Sequence, residues 1–208
     1  MSAEGVIFIV SAPSGAGKTS LVRRIIEEVP GITVAVSHTT RPKRDGDVDG
    51  SDYHFVSREE FEQLIEKDAF LEHADVFGNY YGTSKQAVDS CISAGADVIL
   101  EIDWQGASQI RSRLEETCSI FILPPSREVL LQRLRGRGTD SDEVIERRTQ
   151  EAVAEMKHMD TADYILVNDQ FDPTLAEFKS VITAMRLRGD RQMAEHRKMI
   201  DGLLAGQS

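Results

Sequence analysis

A chain of 208 residues fits one domain, or one core with insertions, and is long enough to bury about 70% of its unfolded surface without staples. Its 40% hydrophobic and 28% charged residues describe an ordinary soluble globule, no apolar run approaches the ~18–20 residues of a membrane span, and two cysteines make no disulfide framework. A formal net charge of −11 argues against a nucleic-acid binder, so cations meant for an anionic ligand must be concentrated locally.

Val6-Ile-Phe-Ile-Val-Ser11 is a continuous β-branched run and reads as a buried strand; Leu21, Val22, Ile25, Ile26 and Val29 follow at helical spacing. Between them, Ala12-Pro13-Ser14-Gly15-Ala16-Gly17-Lys18-Thr19-Ser20 nearly matches the phosphate loop G-x-x-x-x-G-K-[ST], with Ala12 in place of its first glycine. Backbone N–H groups of such a turn, with those of the helix start, wrap a phosphate chain. Lys18 adds a charge near the β- and γ-phosphates, and the Thr19 hydroxyl can reach Mg²⁺. A plain strand–turn–helix is the alternative, which the intact strand and helix on either side disfavour.

Pro30-Gly31 turns the chain into a second strand, Ile32–Val36. Ser37 to Tyr53 is about as long a structureless run as compact domains tolerate, and such runs are functional or disordered. His54–Val56 reads as a short strand, and Ser57-Arg-Glu-Glu60 as a capping box opening a helix with Phe61, Leu64 and Ile65 on one face. Short strands at Phe70–Glu72 and Val76–Phe77 lead to Gly78–Thr83. Ser84 caps a helix that turns Val88, Cys91 and Ile92 inward and ends at Gly95. Asp97–Asp103 is a buried strand with carboxylates at its C-terminal end, 105–116 a helix, and Ser119–Leu123 a strand. A helix over Arg127–Leu134 runs into the glycine-hinged Arg135-Gly-Arg-Gly138, and Asp142–Met159 is a long polar helix. Tyr164–Val167 is a strand, and Asp172-Pro173 the cap and first residue of a helix aligning Leu175, Phe178, Val181, Ile182 and Met185. The charged tail from Arg186 is expected to fray. The chain reaches a strand within five residues and shows no charged leader, so a cytoplasmic protein is expected.

Alternating strands and helices imply an α/β fold, a parallel sheet with helices on both faces, and ligands bind beyond the carboxyl ends of such strands. That rule gathers the phosphate loop, Ser37–Arg44, Glu101 and Asp103, and Asn168-Asp169 at one edge. The expected organisation is a core over 1–36, 85–125 and 161–208, an inserted lobe over 37–84, and a mobile lid region over 126–160.

Arg41 and Arg44 sit three apart in a loop, with Tyr53 further on. They would be solvated charges if isolated; beside the phosphate loop their planar forks suit a second phosphate. Arg133, Arg135, Arg137, Arg147 and Arg148 form another basic cluster, three of them around a glycine hinge. Cations of that kind can arrive late and neutralise a moving phosphoryl group. Glu101 and Asp103 share one strand face and suit Mg²⁺ or its waters, with buried structural carboxylates as the alternative. Glu72 alone reads as a surface glutamate, and the five histidines show no metal spacing.

With the phosphate loop, Ser37-His-Thr-Thr-Arg41-Pro-Lys-Arg44, Gly78-Asn-Tyr-Tyr-Gly-Thr83, Ile102-Asp-Trp-Gln-Gly106 and Arg135-Gly-Arg-Gly138 in that order, the chain closely resembles a bacterial-type guanylate kinase from about residue 5 to 185. The resemblance implies a P-loop three-layer core with a GMP-binding lobe and a lid. It also implies transfer of the ATP γ-phosphoryl group to GMP, and to dGMP, in purine nucleotide recycling. Mg²⁺ accompanies ATP, held by Thr19 and, through water, by Asp103. Lys18, Arg41, Arg137 and Arg148 take catalytic places. Residues Ala12 to Ser20, with Arg133, Arg137 and Asn168, correspond to the ATP site. Arg41, Arg44, Tyr53 and Tyr81 correspond to holders of the GMP phosphate, Ser37, Glu72 and Thr83 to guanine readers, and Glu101 and Asp103 lie nearby. Ala12 and Glu101 depart from the family pattern, which often has Gly and Asp there.

The chemistry is coherent with that implication. A Glu72 carboxylate accepts from both N1–H and N2–H₂ of guanine, while adenine would leave it unpaired, a difference able to reject the wrong base by ~10⁴-fold or more. The acceptor is already an anionic phosphate oxygen, so alignment and charge neutralisation suffice without a general base. No nucleic-acid or membrane partner is expected, and a homo-oligomer stays open. The rivals are a catalytically inactive guanylate-kinase-like interaction module, a GTPase switch, which lacks its Asn-Lys-x-Asp reader here, and a kinase for another nucleoside monophosphate.

Overall fold

A computed structural model describes residues 5–76, 78–114, 116–136 and 142–205, without the side chain at 142. Phe77, Arg137 and Gly138, singled out above, lie outside the described residues. In chain order the elements are β1 (Ile7–Ser11), α1 (Lys18–Glu28), β2 (Ile32–Val34), β3 (His38–Thr39), β4 (His54–Phe55), α2 (Arg58–Glu66), β5 (Phe70–Val76), β6 (Asn79–Ser84) and α3 (Lys85–Ser93). They continue with β7 (Asp97–Glu101), α4 (Trp104–Arg113), β8 (Thr117–Leu123), α5 (Arg127–Arg135), α6 (Asp142–Met156), β9 (Tyr164–Val167), α7 (Phe171–Arg186), α8 (Gly189–Glu195) and α9 (Arg197–Ala205).

The α/β expectation holds. A five-stranded sheet runs in the order β2-β7-β1-β8-β9, every pair parallel. β1 lies at its centre and is buried throughout, which is why its sequence is apolar without alternation. Val6, Phe8 and Val10 face Leu21, Val22 and Ile25 of α1 and Leu175, Phe178 and Ile182 of α7. Ile7 and Ile9 face the opposite layer, built from Val88 of α3, Val98 and Leu100 of β7, and Ile110 of α4. Beneath the sheet edge, Asp97 is buried; it accepts from Val6 N–H at 2.7 Å and pairs with Arg186 Nε at 2.7 Å.

Residues 38–84 build a second, four-stranded sheet in the order β4-β3-β6-β5, and two expectations change with it. Ser37–Tyr53 is not structureless, because His38 and Thr39 pair with both His54–Phe55 and Tyr81–Gly82. Phe70–Val76 is one seven-residue strand, paired antiparallel with a β6 strand that the sequence reading left out. The Ser57–Glu60 capping box is present, and Phe61 beneath it stacks on Phe70 at 4.5 Å.

Other ends shift for identifiable reasons. Asp103 caps α4 through Gly106 N–H, so that helix starts at Trp104 and β7 ends at Glu101. α7 begins at Phe171, with Pro173 inside its first turn, where a missing N–H costs nothing. β2 stops at Val34, and the long polar helix ends at Met156. The tail does not fray but forms α8 and α9, neither with a buried residue. No helix among the described residues is long and apolar enough to cross a membrane.

Candidate functional site

The loop between β1 and α1 turns on two left-handed residues, Gly15 at φ 91° and Gly17 at φ 95°, a conformation that glycine adopts without strain. A Cβ at Gly17 would also run into Asn168 Nδ2. Asn168, buried just beyond β9, donates to the Ala16 carbonyl at 2.7 Å. Arg133 Nη1 reaches the same carbonyl at 3.4 Å, and its Nη2 the Asn168 carbonyl at 2.9 Å. Arg148 Nη2 donates to Ser14 Oγ at 2.8 Å. Leu130 and Leu134 of α5 pack with Ala152 of α6, and both leucines lie within about 3.3 Å of where a Gly15 Cβ would stand. Helices α5 and α6, which carry Arg133 and Arg148, are therefore anchored directly on the loop. Ala12 packs its methyl group against the core, an apolar use for the position that departs from the motif.

One cleft of about 290 Å³ opens from this loop. Ala12 to Gly15 and Gly17 to Ser20 line one side, with Lys18 and Thr19 at the start of α1. Ser37, Tyr53, Glu72 and Tyr81 line the other, with Glu101 at the carboxyl end of β7 and Asp103 just beyond it. The sheet rule thus brings both expected halves together. Arg41 and Arg44 do not line the cleft. Arg41 lies 5.4 Å from the Tyr53 ring centroid and 5.5 Å from that of Phe55, and its Nη2 donates to Asp47 Oδ2 at 3.0 Å. Arg44 is exposed and donates its backbone N–H to the same carboxylate at 2.8 Å. That backbone bond first, then Arg41, holds the Asp47 carboxyl below its ordinary range.

Glu72 is not a surface residue. It is 2% exposed, and Thr83 Oγ1 donates to its Oε1 at 2.6 Å across the β5–β6 pair. Ser37 Oγ lies 3.2 Å from Thr83 Oγ1, so the three side chains form one polar chain. Gly106 sits where any Cβ would strike Glu72 Oε2. Burial, and secondarily the Asp103 charge, push the Glu72 carboxyl up to about 7 despite the Thr83 bond. Tyr53 and Tyr81 meet edge to face at 5.9 Å. Burial, with Tyr81 and Glu101 beside it, lifts the Tyr53 phenol to about 12 against the pull of Arg41 and Arg44.

Asp103 is more committed than its place in the sequence suggested. Its Oδ1 accepts from Gly106 N–H at 2.9 Å and its Oδ2 from Gln105 Nε2 at 3.1 Å. Thr19 and Glu101 line the cleft alongside it, so a hydroxyl of the phosphate loop and two carboxylates share the cleft, a donor set of hard oxygens that suits Mg²⁺. Trp104, next to Asp103, does not line the cleft; it stacks on His158 at 3.8 Å with 6° between the rings.

Sequence reasoning passed over Glu155. This α6 residue lines the cleft together with Ser14 and Lys18, close enough for the Lys18 charge and the Ser14 N–H to act on its carboxyl. Its Oε2 is buried without a hydrogen-bond partner, and burial pushes its carboxyl up to about 7. The available signal was its spacing, seven residues or two turns after Arg148 and hence on the same helix face.

A family model described as guanylate kinase matches residues 5–185. The guanylate kinase of Escherichia coli (strain K12) is 54% identical over 205 residues, covering 98% of this chain and 99% of that protein. The guanylate kinase of Saccharophagus degradans is 52% identical, with 99% of this chain and all of the relative covered. The crystal structure of guanylate kinase from Anaplasma phagocytophilum superposes with a TM-score of 0.77 at 33% identity, covering 91% of this chain and 90% of that one. With its phosphate loop, paired polar half-sites and whole-length similarity all in agreement, the chain belongs to the guanylate kinase family.

Proposed function

We propose that this guanylate kinase carries out its reaction, transfer of the γ-phosphoryl group of ATP to GMP, within the single cleft, the two nucleotides entering from opposite sides. The observation that carries the reading is that Lys18 and Thr19 on one wall share that cleft with Ser37, Glu72 and Tyr81 on the other. In this assignment residues 12–20 hold the ATP phosphates, with Arg133 and Arg148 bringing positive charge from the lid segment. Arg137 belongs to the same segment by sequence. Asn168 acts on ATP indirectly, by holding the Ala16 carbonyl and hence the loop.

Glu72 reads guanine as a carboxylate accepting from N1–H and N2–H₂, with Ser37 and Thr83 fixing its orientation. Tyr53 and Tyr81 donate to the GMP phosphate, and Arg41 and Arg44 approach it from the rim of the cleft. Arg41 must then exchange Asp47 for the phosphate, a swap between two anionic oxygens that its planar fork suits. A GMP phosphate oxygen attacks the γ-phosphorus as the bond to the β–γ bridging oxygen breaks, and the cations neutralise the charge shared between them. Mg²⁺ brought with ATP would be held by Thr19, with Glu101 and Asp103 available to it through water. Bound there, it would neutralise phosphate charge. The organisation that follows is a core over 1–36, 85–125 and 161–208, a GMP lobe over 37–84 and a lid over 126–160, in a cytoplasmic enzyme.

The test is ADP release measured by a coupled assay with GMP, dGMP, AMP and CMP as acceptors. Turnover with GMP and dGMP, and at least ~10³-fold lower kcat/KM with AMP, is expected. Saturable GMP binding without ADP release would identify an inactive module.

A further inference from the structure

The mechanism above uses no anionic group from α6, yet that helix delivers one to the phosphate loop. Arg148 and Glu155 stand two turns apart on one face of α6. Arg148 donates to Ser14 Oγ at 2.8 Å, while Glu155 lines the cleft together with Ser14 and Lys18. A backbone amide of the phosphate loop and its lysine are the groups that a polyphosphate requires. Asp103 and Glu151 add further negative charge around Glu155, and its Oε2 is cut off from solvent with no partner. An anion in that position repels a second one.

We propose that Glu155 is an internal competitor of the ATP phosphates: its negative charge, set in the cleft beside Ser14 and Lys18, opposes the triphosphate there, so that ATP binds more tightly when α6 withdraws it. The residue thereby ties ATP affinity to the position of the helix that carries Arg148. Because one helix bears both side chains, a shift of α6 changes the approach of both charges to the same loop. The competition acts on binding of the donor nucleotide and leaves the acceptor side of the cleft alone. The inference rests on the assignment of residues 12–20 as the ATP site.

Glu155→Gln and Glu155→Ala, each checked by thermal melting, are to be compared with wild type at pH 8, where the carboxyl is ionised, by calorimetric binding of ATP, with Mg²⁺ and with EDTA, and by steady-state kinetics. Competition predicts about tenfold tighter ATP binding in both variants and both conditions, as expected when one like charge leaves a partly solvated site. KM for ATP should fall in parallel, while KM for GMP stays within twofold. Weaker ATP binding confined to the Mg²⁺ condition would overturn the proposal in favour of a carboxylate on the metal's water shell. Unchanged affinity, or a loss of kcat with KM for ATP constant, would also overturn it. Lys18→Ala serves as the control: if it leaves ATP binding untouched, the site assignment itself fails, whereas weakened binding in Lys18→Ala with no tightening in the Glu155 variants refutes only the competition.

Discussion

Replacing Glu72 with glutamine separates the recognition role of the carboxylate from its cost to the fold. Glu72 is almost fully enclosed, with one strong bond from Thr83 and the charge of Asp103 close by. Its pKa rises from 4.5 to about 7 on folding. The native state therefore holds this proton more tightly than the unfolded chain. Stability associated with the group is fully present below about pH 4.5 and is lost as the pH rises through 7, by about 3 kcal/mol in all. Glutamine keeps an oxygen for Thr83 and carries no charge. The variant should accordingly be more stable than wild type at pH 8, by up to about 3 kcal/mol, with a melting midpoint higher by ~2–4 °C per kcal/mol. That advantage should vanish near pH 4.5.

Function should move the other way. An amide cannot accept from N1–H and N2–H₂ together, and hydrogen bonds to a charged acceptor are worth about 1.5–3 kcal/mol, so KM for GMP should rise about 10–100-fold and the preference over AMP should collapse. In wild type the ionised fraction of Glu72 falls from about 90% at pH 8 to about 10% at pH 6, which weakens GMP about tenfold. The GMP phosphate also loses charge near pH 6. The variant retains only that second component, so the difference between the two profiles isolates Glu72. Coupled ADP-release kinetics with GMP and AMP, and melting curves at pH 4.5, 6 and 8, make the comparison. A variant that keeps full preference for GMP, or that melts below wild type at pH 8, would refute the reasoning.

Three further outcomes are expected. Lys18→Ala should lower kcat about 10²–10³-fold, the usual loss when one transition-state charge partner is removed, with KM for GMP nearly unchanged in steady-state assays. Gly106→Ala places a Cβ against Glu72 Oε2 and should raise KM for GMP about tenfold while sparing ATP; equal effects on both substrates would contradict the close approach. Arg186→Ala leaves Asp97 buried with only Val6 N–H for company, which should cost about 2 kcal/mol in denaturant unfolding; Arg186 is 34% exposed, so the loss is smaller than for a sealed pair. Since neither residue lines the cleft, kcat should be retained.

What the sequence made legible was local. The phosphate loop, the Ser57 capping box and the buried run of β1 each depend on neighbours within a few residues, and each appears where the pattern put it. The sheet rule then extended that reading to Glu101 and Asp103, because strand ends in a parallel sheet must share an edge. Glu72 escaped the residue-level reading because its burial comes from pairing with Thr83 and from the missing side chain at Gly106, neither of which periodicity reveals. β6 escaped because Asn79-Tyr-Tyr-Gly-Thr-Ser84 lacks an apolar alternation; its two tyrosines serve different faces, Tyr80 near Phe61 and Tyr81 against Tyr53. Glu155 was hidden in a polar helix, where a buried carboxylate looks like every solvated one.

The central claim is that donor and acceptor phosphates meet in one cleft and react directly. Inhibition by adenosine and guanosine joined through five phosphates tests it most directly. The account predicts that this compound competes with both ATP and GMP and binds more tightly than either nucleotide alone. Competition with only one of the two substrates, with the other binding unhindered, would contradict it.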